Sequence, residues 1–278
     1  MENIKNINTN NFHEYLKKYD DLEKIIVYNF LLGDGGIGDN IKFFMFLLKY
    51  CVENNIKLCY LVNNIYIEKY LQLKYEKMYI TNNVLTNKII INNYNDIFNI
   101  KKDKYYLIRP YICYKISDEE LYNNIFIPVN EVFKFSDIIK ENSITIFPTI
   151  FTTYISIHLR LGDKFLEVDK KFIMCKGDTR DFNEEKLYEF IENHKNHNIL
   201  FFCDNLTYKL KIKNKYNHVF ITTCDIGHTS LTNTTDKQTL DAITEFYIMS
   251  NSNEIYTASK SGFSILSSKF NNIPLQKI

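Results

Sequence analysis

The densest group of reactive side chains lies in residues 155–163 (ISIHLRLGD), which alternate like a β-strand. His158 and Arg160 are two residues apart, so they share one face of that strand. An arginine fork binds phosphate oxygens in pairs, and Gly162 would let the backbone approach a ligand closely. These residues predict an anion site at the carboxyl end of the strand, where open α/β sheets bind ligands. Asp163 could orient Arg160 or cap the turn, and the alternative to a ligand site is a strand end with a surface ion pair.

A glycine-rich loop at 32–39 (LGDGGIGD) lies between a predicted strand and a predicted helix. Gly36 and Gly38 are candidate ligand-binding positions, because glycines before a helix expose N–H groups. No Gly-Lys-Ser/Thr follows, so the loop is not a P-loop, and it matches the dinucleotide fingerprint only loosely. The carboxylates of Asp34 and Asp39 disfavour a bound phosphate and suit an acceptor hydroxyl or a general base. The alternative is a tight β–α turn with Asp39 as the N-cap.

The third candidate region combines Glu245 with residues 259–264 (SKSGFS), which open the last predicted helix. Hydroxyl groups and unpaired N–H groups at a helix start suit an oxyanion or a phosphate. The alternative is a serine N-cap with Phe263 in the core. Asp204 and Asn205, which follow an apolar strand, could bind a ligand or cap the next helix.

Hydrophobic periodicity predicts the elements that must position these groups. Strands at 24–30 and 57–62 flank a helix at 40–53, a β–α–β unit with a right-handed crossover. Weaker patterns predict strands at 88–91 and 105–108 and helices at 118–123 and 136–141. The second half predicts strands at 154–159, 198–203, 218–222 and 254–258, alternating with helices at 183–194, 206–213, 237–250 and 262–270. This order is typical of a doubly wound α/β domain. We expect two Rossmann-like domains, residues 1–150 and 151–278, facing a cleft.

The composition narrows the class of protein. With 45% hydrophobic and 24% charged residues the chain is globular, and its net charge of +1 gives no general attraction to nucleic acid. Six cysteines show no metal-site or disulfide spacing, so neither a metal nor a disulfide framework is expected. The polar residues 1–11 do not form a signal peptide, and the longest apolar run, 43–48, is too short to span a bilayer. We therefore expect a protein without a membrane anchor in the cytoplasm, either cellular or encoded by a virus and acting in its host.

Together the three regions resemble the GDP-fucose-dependent fucosyltransferase superfamily, which includes bacterial α-1,2-, α-1,6- and protein O-fucosyltransferases. The resemblance rests on GGIGDN at 35–40, HLRLGD at 158–163, Glu245 and SKSGFS at 259–264. It covers most of the second half but only the first loop of the first half. The chain departs from the usual pattern at Leu161, at Glu245 where Asp is commoner, and at Gly262 where Ser is usual.

The resemblance implies a GT-B fold and an inverting, metal-independent transfer of fucose from GDP-fucose to a hydroxyl of a glycan or a protein. It implies no further cofactor, since the nucleotide sugar is the donor substrate. Arg160 would hold the β-phosphate, His158 would face the nucleotide, and Glu245 would read the N–H donors of guanine. The remaining implied donor contacts are Gly162, Asp204, Ser261, Gly262, Phe263 and Ser264.

The sequence leaves open which residue accepts the proton and which acceptor substrate is used. Asp34, Asp39 and Glu167 are candidates for the base, and the region 66–143 is expected to shape the acceptor side. The rival interpretations are a GT-B transferase with another nucleotide sugar and a non-catalytic nucleotide-sugar-binding relative. The oligomeric state does not follow from the sequence.

Overall fold

A computed structural model of the chain describes residues 8–113, 115–147, 153–166, 177–224, 226–229, 231 and 233–278. Contacts divide it into two compact units, one of Met1–Glu68 and Leu73–Lys134 and the other of Lys69–Gln72 and Phe135–Ile278. The elements of the first half are α1 Thr9–Lys18, β1 Ile25–Tyr28, α2 Ile37–Asn54, β2 Lys57–Leu61, α3 Tyr66–Tyr70, β3 Leu71–Leu73, β4 Tyr79–Ile80, β5 Lys88–Ile91, β6 Tyr105–Ile108, α4 Asp118–Asn123, β7 Phe133–Phe135 and α5 Asp137–Ile146. Those of the second half are β8 Ile155–Leu159, α6 Glu184–Asn193, β9 Ile199–Cys203, α7 Leu206–Lys215, β10 Val219–Ile221, α8 Asp236–Met249, β11 Glu254–Thr257, α9 Gly262–Asn271 and β12 Leu275–Lys277.

The first unit contains a sheet in the order β4-β2-β1-β6-β5, in which every pairing is parallel. Strands β2 and β4 lie on one side of β1, and β6 and β5 lie on the other. The point at which the strand order reverses is therefore between β1 and β6, where open sheets of this type place ligands. Helix α2 begins at Ile37, three residues before the predicted start, and it is buried along most of its length.

The second unit contains a parallel sheet in the order β10-β9-β8-β11-β12, so its order reverses between β8 and β11. Side chains of β8 alternate between two cores. Ile155, Ile157 and Leu159 pack with Leu187 of α6 and other apolar residues on one face. Ser156 and His158 lie on the other face because successive side chains of a strand alternate. The polar end of β8 therefore faces the side that carries α8 and α9.

Most of the predicted elements are confirmed, and the alternation in the second half is reproduced strand by strand. Six elements were missed, namely α1, α3, β3, β4, β7 and β12. Helix α1 starts in an Asn-rich stretch, where Asn8 accepts hydrogen bonds from the N–H groups of Asn10 and Asn11. Strand β12 is only three residues long and pairs with β11. Within the described residues no helix is long and apolar enough to cross a membrane.

Candidate functional site

Arg160 follows the last residue of β8 and is held there by two carboxylates. Its Nε lies 3.1 Å from Oδ2 of Asp204, and its Nη2 donates to Oδ1 of Asp163. Asp204 is buried and also accepts the backbone N–H groups of Leu161 (2.8 Å) and Gly162 (3.1 Å). Asp163 thus orients Arg160, which is one of the two roles predicted for it. Within the described residues no acceptor binds Nη1 of Arg160. The Arg160 side chain is 19% exposed to solvent. The guanidinium is therefore fixed in direction while one end can still meet a ligand.

Helix α7, which follows Asp204, is capped by Asn205. Asn205 accepts the N–H of Tyr208 at 2.8 Å, so the cap predicted for the Asp204–Asn205 pair is provided by Asn205 and not by Asp204. A carboxylate that accepts two backbone N–H groups and a guanidinium acts on a ligand through Arg160. Its predicted direct contact with a ligand stays a prediction.

Ser259 completes the support of Arg160 from the other side of the strand-order reversal. Its buried hydroxyl donates to the carbonyl oxygen of Arg160 (2.8 Å) and accepts the Arg160 N–H (2.9 Å). Both main-chain groups of Arg160 are thereby bonded just past the end of the β8–β11 ladder, where Ala258 donates to the His158 carbonyl at 2.9 Å. The sequence did not reveal this role, because a serine before a helix is ordinarily only a cap.

Gly162 has a structural requirement of its own. Its φ is +107°, and a Cβ there would lie 2.5 Å from the carbonyl oxygen of Asp178. Asp178 also accepts the Asp163 N–H through its side chain at 3.2 Å. The N–H groups of residues 161–163 are consequently all bonded to carboxylates. Gly162 would contribute to ligand binding mainly by letting this loop turn, and direct contact stays a prediction.

His158 is buried, and its ring stacks on Phe263 with centroids 5.4 Å apart. Burial, together with the charges of Arg160 and Lys209, lowers the pKa of His158 to about 3, so the ring is neutral. Its Nδ1 has no hydrogen-bond partner in the part of the chain that the structure describes. A buried polar atom without a partner is costly in a folded protein and marks a position that a ligand can satisfy.

Glu245 lies in α8 and forms a buried cluster with two residues that the sequence analysis missed. Nζ of Lys209, from α7, lies 2.5 Å from Oε1 of Glu245 and 3.0 Å from Oγ1 of Thr222, which follows β10. The Thr222 hydroxyl donates to the same Oε1. Lys209 was detectable in principle, because it is three residues before the buried Ile212 and so shares the apolar face of α7.

The start of α9 is capped as the alternative interpretation predicted. Ser261 is the N-cap and accepts the N–H of Phe263 at 3.3 Å. The buried Ser264 hydroxyl donates to the Ser261 carbonyl at 3.1 Å. Phe263 joins the core on the α8 side of the sheet. Gly262 opens the helix, so its N–H is one of the groups without an intrahelical partner. Ligand contacts at 261–264 stay predictions, but cap and core roles do not exclude them.

In the first unit, Asp34 is paired with an arginine that the sequence analysis did not single out. Arg109, directly after β6, donates through Nε to Oδ2 of Asp34 at 3.2 Å and through Nη2 to Oδ1. Asp34 also accepts the Leu31 N–H at 2.9 Å and is buried. The pair lies where the strand order of this unit reverses. A carboxylate with both oxygens engaged is poorly placed to take a proton.

Asp39 is not the N-cap of α2, which corrects that alternative. Gly36 is the N-cap, and Asp39 stands at the third helical position with Oδ2 accepting the Gly36 N–H at 3.1 Å. Its Oδ1 lies 3.0 Å from Nζ of Lys42, which also binds Asp118 at 2.9 Å. Burial alone would lower the pKa of Lys42, but these two carboxylates outweigh it and raise the pKa. Gly38 lies in the first turn of the helix, and its predicted role stays untested.

The last predicted base, Glu167, lies outside the described residues. Among the residues that are described, no group of three or more His, Cys, Asp and Glu side chains could hold a metal ion.

No protein-family model and no curated protein matches the sequence. Solved structures do match along nearly the whole chain. The fucosyltransferase NodZ from Bradyrhizobium gives a TM-score of 0.56 at 10% identity, over 91% of this chain and 92% of its own. A variant of FUT1 from Arabidopsis thaliana in complex with GDP gives 0.56 at 11% identity, over 97% of this chain and 74% of its own. POFUT1 in complex with GDP-fucose gives 0.53 at 11% identity, over 93% and 98%. At such identities the likeness establishes architecture, and the chain has the GT-B fold found in fucosyltransferases.

Proposed function

We propose that the chain is an inverting, metal-independent glycosyltransferase that moves fucose from GDP-fucose to a hydroxyl of a glycan or a protein. The observation that carries the proposal is Arg160, held by Asp163, Asp204 and Ser259 at the strand-order reversal of the second unit. Support also comes from the fold, which is shared with fucosyltransferases crystallised with GDP or GDP-fucose.

The donor would lie across the carboxyl ends of β8 and β11. Nη1 of Arg160 would meet a phosphate oxygen, and the N–H groups at the start of α9 would add donors beside it. The unpartnered Nδ1 of His158 would find its partner on the nucleotide. Glu245 would accept from the guanine edge with the carboxylate oxygen that Lys209 and Thr222 do not engage.

Arg160 would act on the leaving group. Fucose departs through a cation-like transition state while negative charge grows on the GDP diphosphate. A fixed guanidinium stabilises that charge without having to reorganise, which is where such sites gain most of their rate. Two carboxylates already offset the charge of Arg160, so its contribution depends on the direction of its remaining N–H groups.

The acceptor hydroxyl must lose a proton to some base. Asp34 and Asp39 are both engaged by cations, so Glu167 becomes the first candidate to test. The same engagement favours one rival function, a non-catalytic protein that binds a nucleotide sugar. Such a protein would bind GDP-fucose through Arg160 without releasing GDP.

The described cysteines are buried free thiols, as is usual in a reducing compartment, and we place the protein in the cytoplasm.

The decisive experiment measures GDP release from GDP-fucose, alone and with a panel of glycan and peptide acceptors. We expect turnover by the wild-type chain and a loss of about 100-fold or more in Arg160→Ala, which is the scale for removing one transition-state donor. Arg160→Lys keeps the charge but loses the fork, so it should recover only part of the rate.

Lys211→Ala is the matched control. It removes one positive charge from the same unit, but Lys211 lies on α7 in an exposed ion pair with Glu184 of α6. Its turnover should equal that of the wild type. Near-normal turnover in Arg160→Ala would overturn the proposal, and GDP-fucose binding without any turnover would favour the non-catalytic rival.

A further inference from the structure

Lys209 is a lysine with no exposed surface, placed in the middle of a helix. Its ammonium group contacts the carboxylate of Glu245 and the hydroxyl of Thr222, and it lies close enough to lower the pKa of His158. Groups from α7 and from the segment after β10 therefore contact the same carboxylate oxygen of Glu245 on α8. That oxygen belongs to a residue of the proposed donor site.

The pair needs an explanation beyond stability. Removing two charges from water is expensive, and a buried ion pair can often be replaced by apolar residues of similar size without loss. The surroundings are suited to apolar side chains, since Ile212 and Phe246 nearby are fully buried. A charged pair at this position is thus best explained by a use for the charge of Glu245.

We propose that Lys209 is a positioning residue that keeps Glu245 as a fixed, ionised acceptor and thereby sets the nucleobase preference of the donor site. This inference rests on the proposed function, because it takes Glu245 to face the nucleobase. Lys209 and Thr222 both bind Oε1, so they fix the carboxyl plane and direct Oε2 away from themselves.

The chemistry of the bases makes the preference specific. A carboxylate is an acceptor only, and it is matched best by a base that presents two adjacent N–H donors. Guanine presents N1–H and the N2 amino group on one edge. Hypoxanthine keeps N1–H but lacks the amino group, and adenine has an acceptor at N1. A carboxylic acid that carries its proton would lose this match.

The groups around Glu245 determine what happens when Lys209 is removed. They are Thr222 and Cys224 after β10, Asp241 on α8, and His158 on β8 beside Lys209. His158 is neutral near pH 7, and Asp241 is an acid, so neither replaces the lost cation. A buried carboxylate without a cation binds a proton more readily. In Lys209→Met, Glu245 would therefore be protonated at low pH and ionised again as the pH rises.

The experiment compares the affinities for GDP, IDP and ADP between pH 6 and pH 8 by calorimetry. We expect the wild type to bind GDP at least tenfold more tightly than IDP or ADP, with a ratio that is constant over this range. In Lys209→Met the ratio of the affinity for GDP to the affinity for IDP, the GDP:IDP ratio, should fall about tenfold at pH 6 and recover towards pH 8. Lys209→Gln keeps a donor to Glu245 without the charge and should show the same pH dependence, which covers the case in which Lys209→Met does not fold.

The double variant Lys209→Met/Glu245→Gln removes both charges and separates positioning from folding. It should unfold at a similar temperature to the wild type and show a low GDP:IDP ratio at every pH. If the pair served folding alone and Glu245 did not face the nucleobase, this folded double variant would keep the wild-type ratio, and that result would overturn the inference. An unchanged, pH-independent ratio in both single variants would do the same. Failure of the wild type to bind GDP at all would instead overturn the proposed function.

Discussion

Replacing Asp204 by Asn tests whether the direction of Arg160 is built into the fold. The substitution preserves the shape of the side chain but converts one acceptor oxygen into a donor. The wild-type carboxylate accepts from the N–H groups of Leu161 and Gly162 and from Nε of Arg160. An amide at this position can satisfy only part of that set, because its nitrogen must face an N–H group.

The orientation that costs least keeps oxygen at the position of Oδ2, where it still accepts from Gly162 and Arg160. The amide nitrogen then opposes the N–H of Leu161, which loses a bond of 2.8 Å. A hydrogen bond to a charged group contributes about 1.5–3 kcal/mol, and the two remaining bonds also lose their charge assistance. We expect the free energy of unfolding of the second unit to fall by about 2–4 kcal/mol, which at the lower limit is roughly a 30-fold change in the unfolding equilibrium.

The measurement combines urea unfolding, followed by circular dichroism because the chain has no tryptophan, with hydrogen–deuterium exchange over residues 155–166. Asp204→Asn should speed exchange in this segment and weaken GDP binding. The control is Asn183→Ala, which removes the exposed N-cap of α6 at a cost of about 1 kcal/mol and should leave exchange at 155–166 unchanged. Wild-type stability and exchange in Asp204→Asn would refute the argument that this carboxylate holds the loop.

Three further predictions concern residues around Arg160. His158 has a pKa of about 3 in the folded chain and about 6.5 when unfolded, so the unfolded chain binds more protons below pH 6.5. The free energy of unfolding should therefore be about 2 kcal/mol lower at pH 5 than at pH 8. His158→Gln should remove this difference, as measured by urea titrations at the two pH values. Gly162→Ala should lower the free energy of unfolding by more than about 2 kcal/mol, because its φ is positive and the added Cβ would meet the Asp178 carbonyl. Gly177→Ala adds a Cβ into open space and should leave the free energy of unfolding unchanged in the same titration. Ser259→Ala leaves the main-chain groups of Arg160 unsatisfied and should raise KM for GDP-fucose while costing about 1–3 kcal/mol in stability.

The fold was largely predictable because most elements carry their own periodic signal. Strand β8 begins at Ile155, one residue from the predicted start, and β5 and β6 match their predicted bounds. Local effects account for the differences. Helix α2 begins early because the Asp39 carboxylate accepts the N–H of its N-cap residue, Gly36, and the polar start of α1 masks the stripe of Phe12, Tyr15 and Leu16.

The site was only partly predictable, because its supports come from remote parts of the chain. Arg160 and Asp163 are three residues apart, and an ion pair at that spacing can be predicted from the sequence. Asp204 lies 43 residues from Leu161, and Ser259 lies 99 residues from Arg160, so no local pattern connects them. Lys209 shows the same limit, since only the folded chain brings it to Glu245. Residue types predict the chemistry, while tertiary pairing decides which groups a ligand can reach.

Both units place an arginine immediately after a strand, beside the reversal of strand order, and hold it with an aspartate from a neighbouring loop. The pairs are Arg109 with Asp34 and Arg160 with Asp204. In each, the aspartate also accepts main-chain N–H groups of its own or the adjacent loop. The acid therefore shapes a loop and orients a cation, which are tasks that require it to stay in place. A general base needs an oxygen that can reach the proton of the substrate, and both oxygens of Asp34 are bonded to Arg109. Asp34 therefore fits the supporting role of Asp204 better than the catalytic role that its position in a glycine-rich loop first indicated.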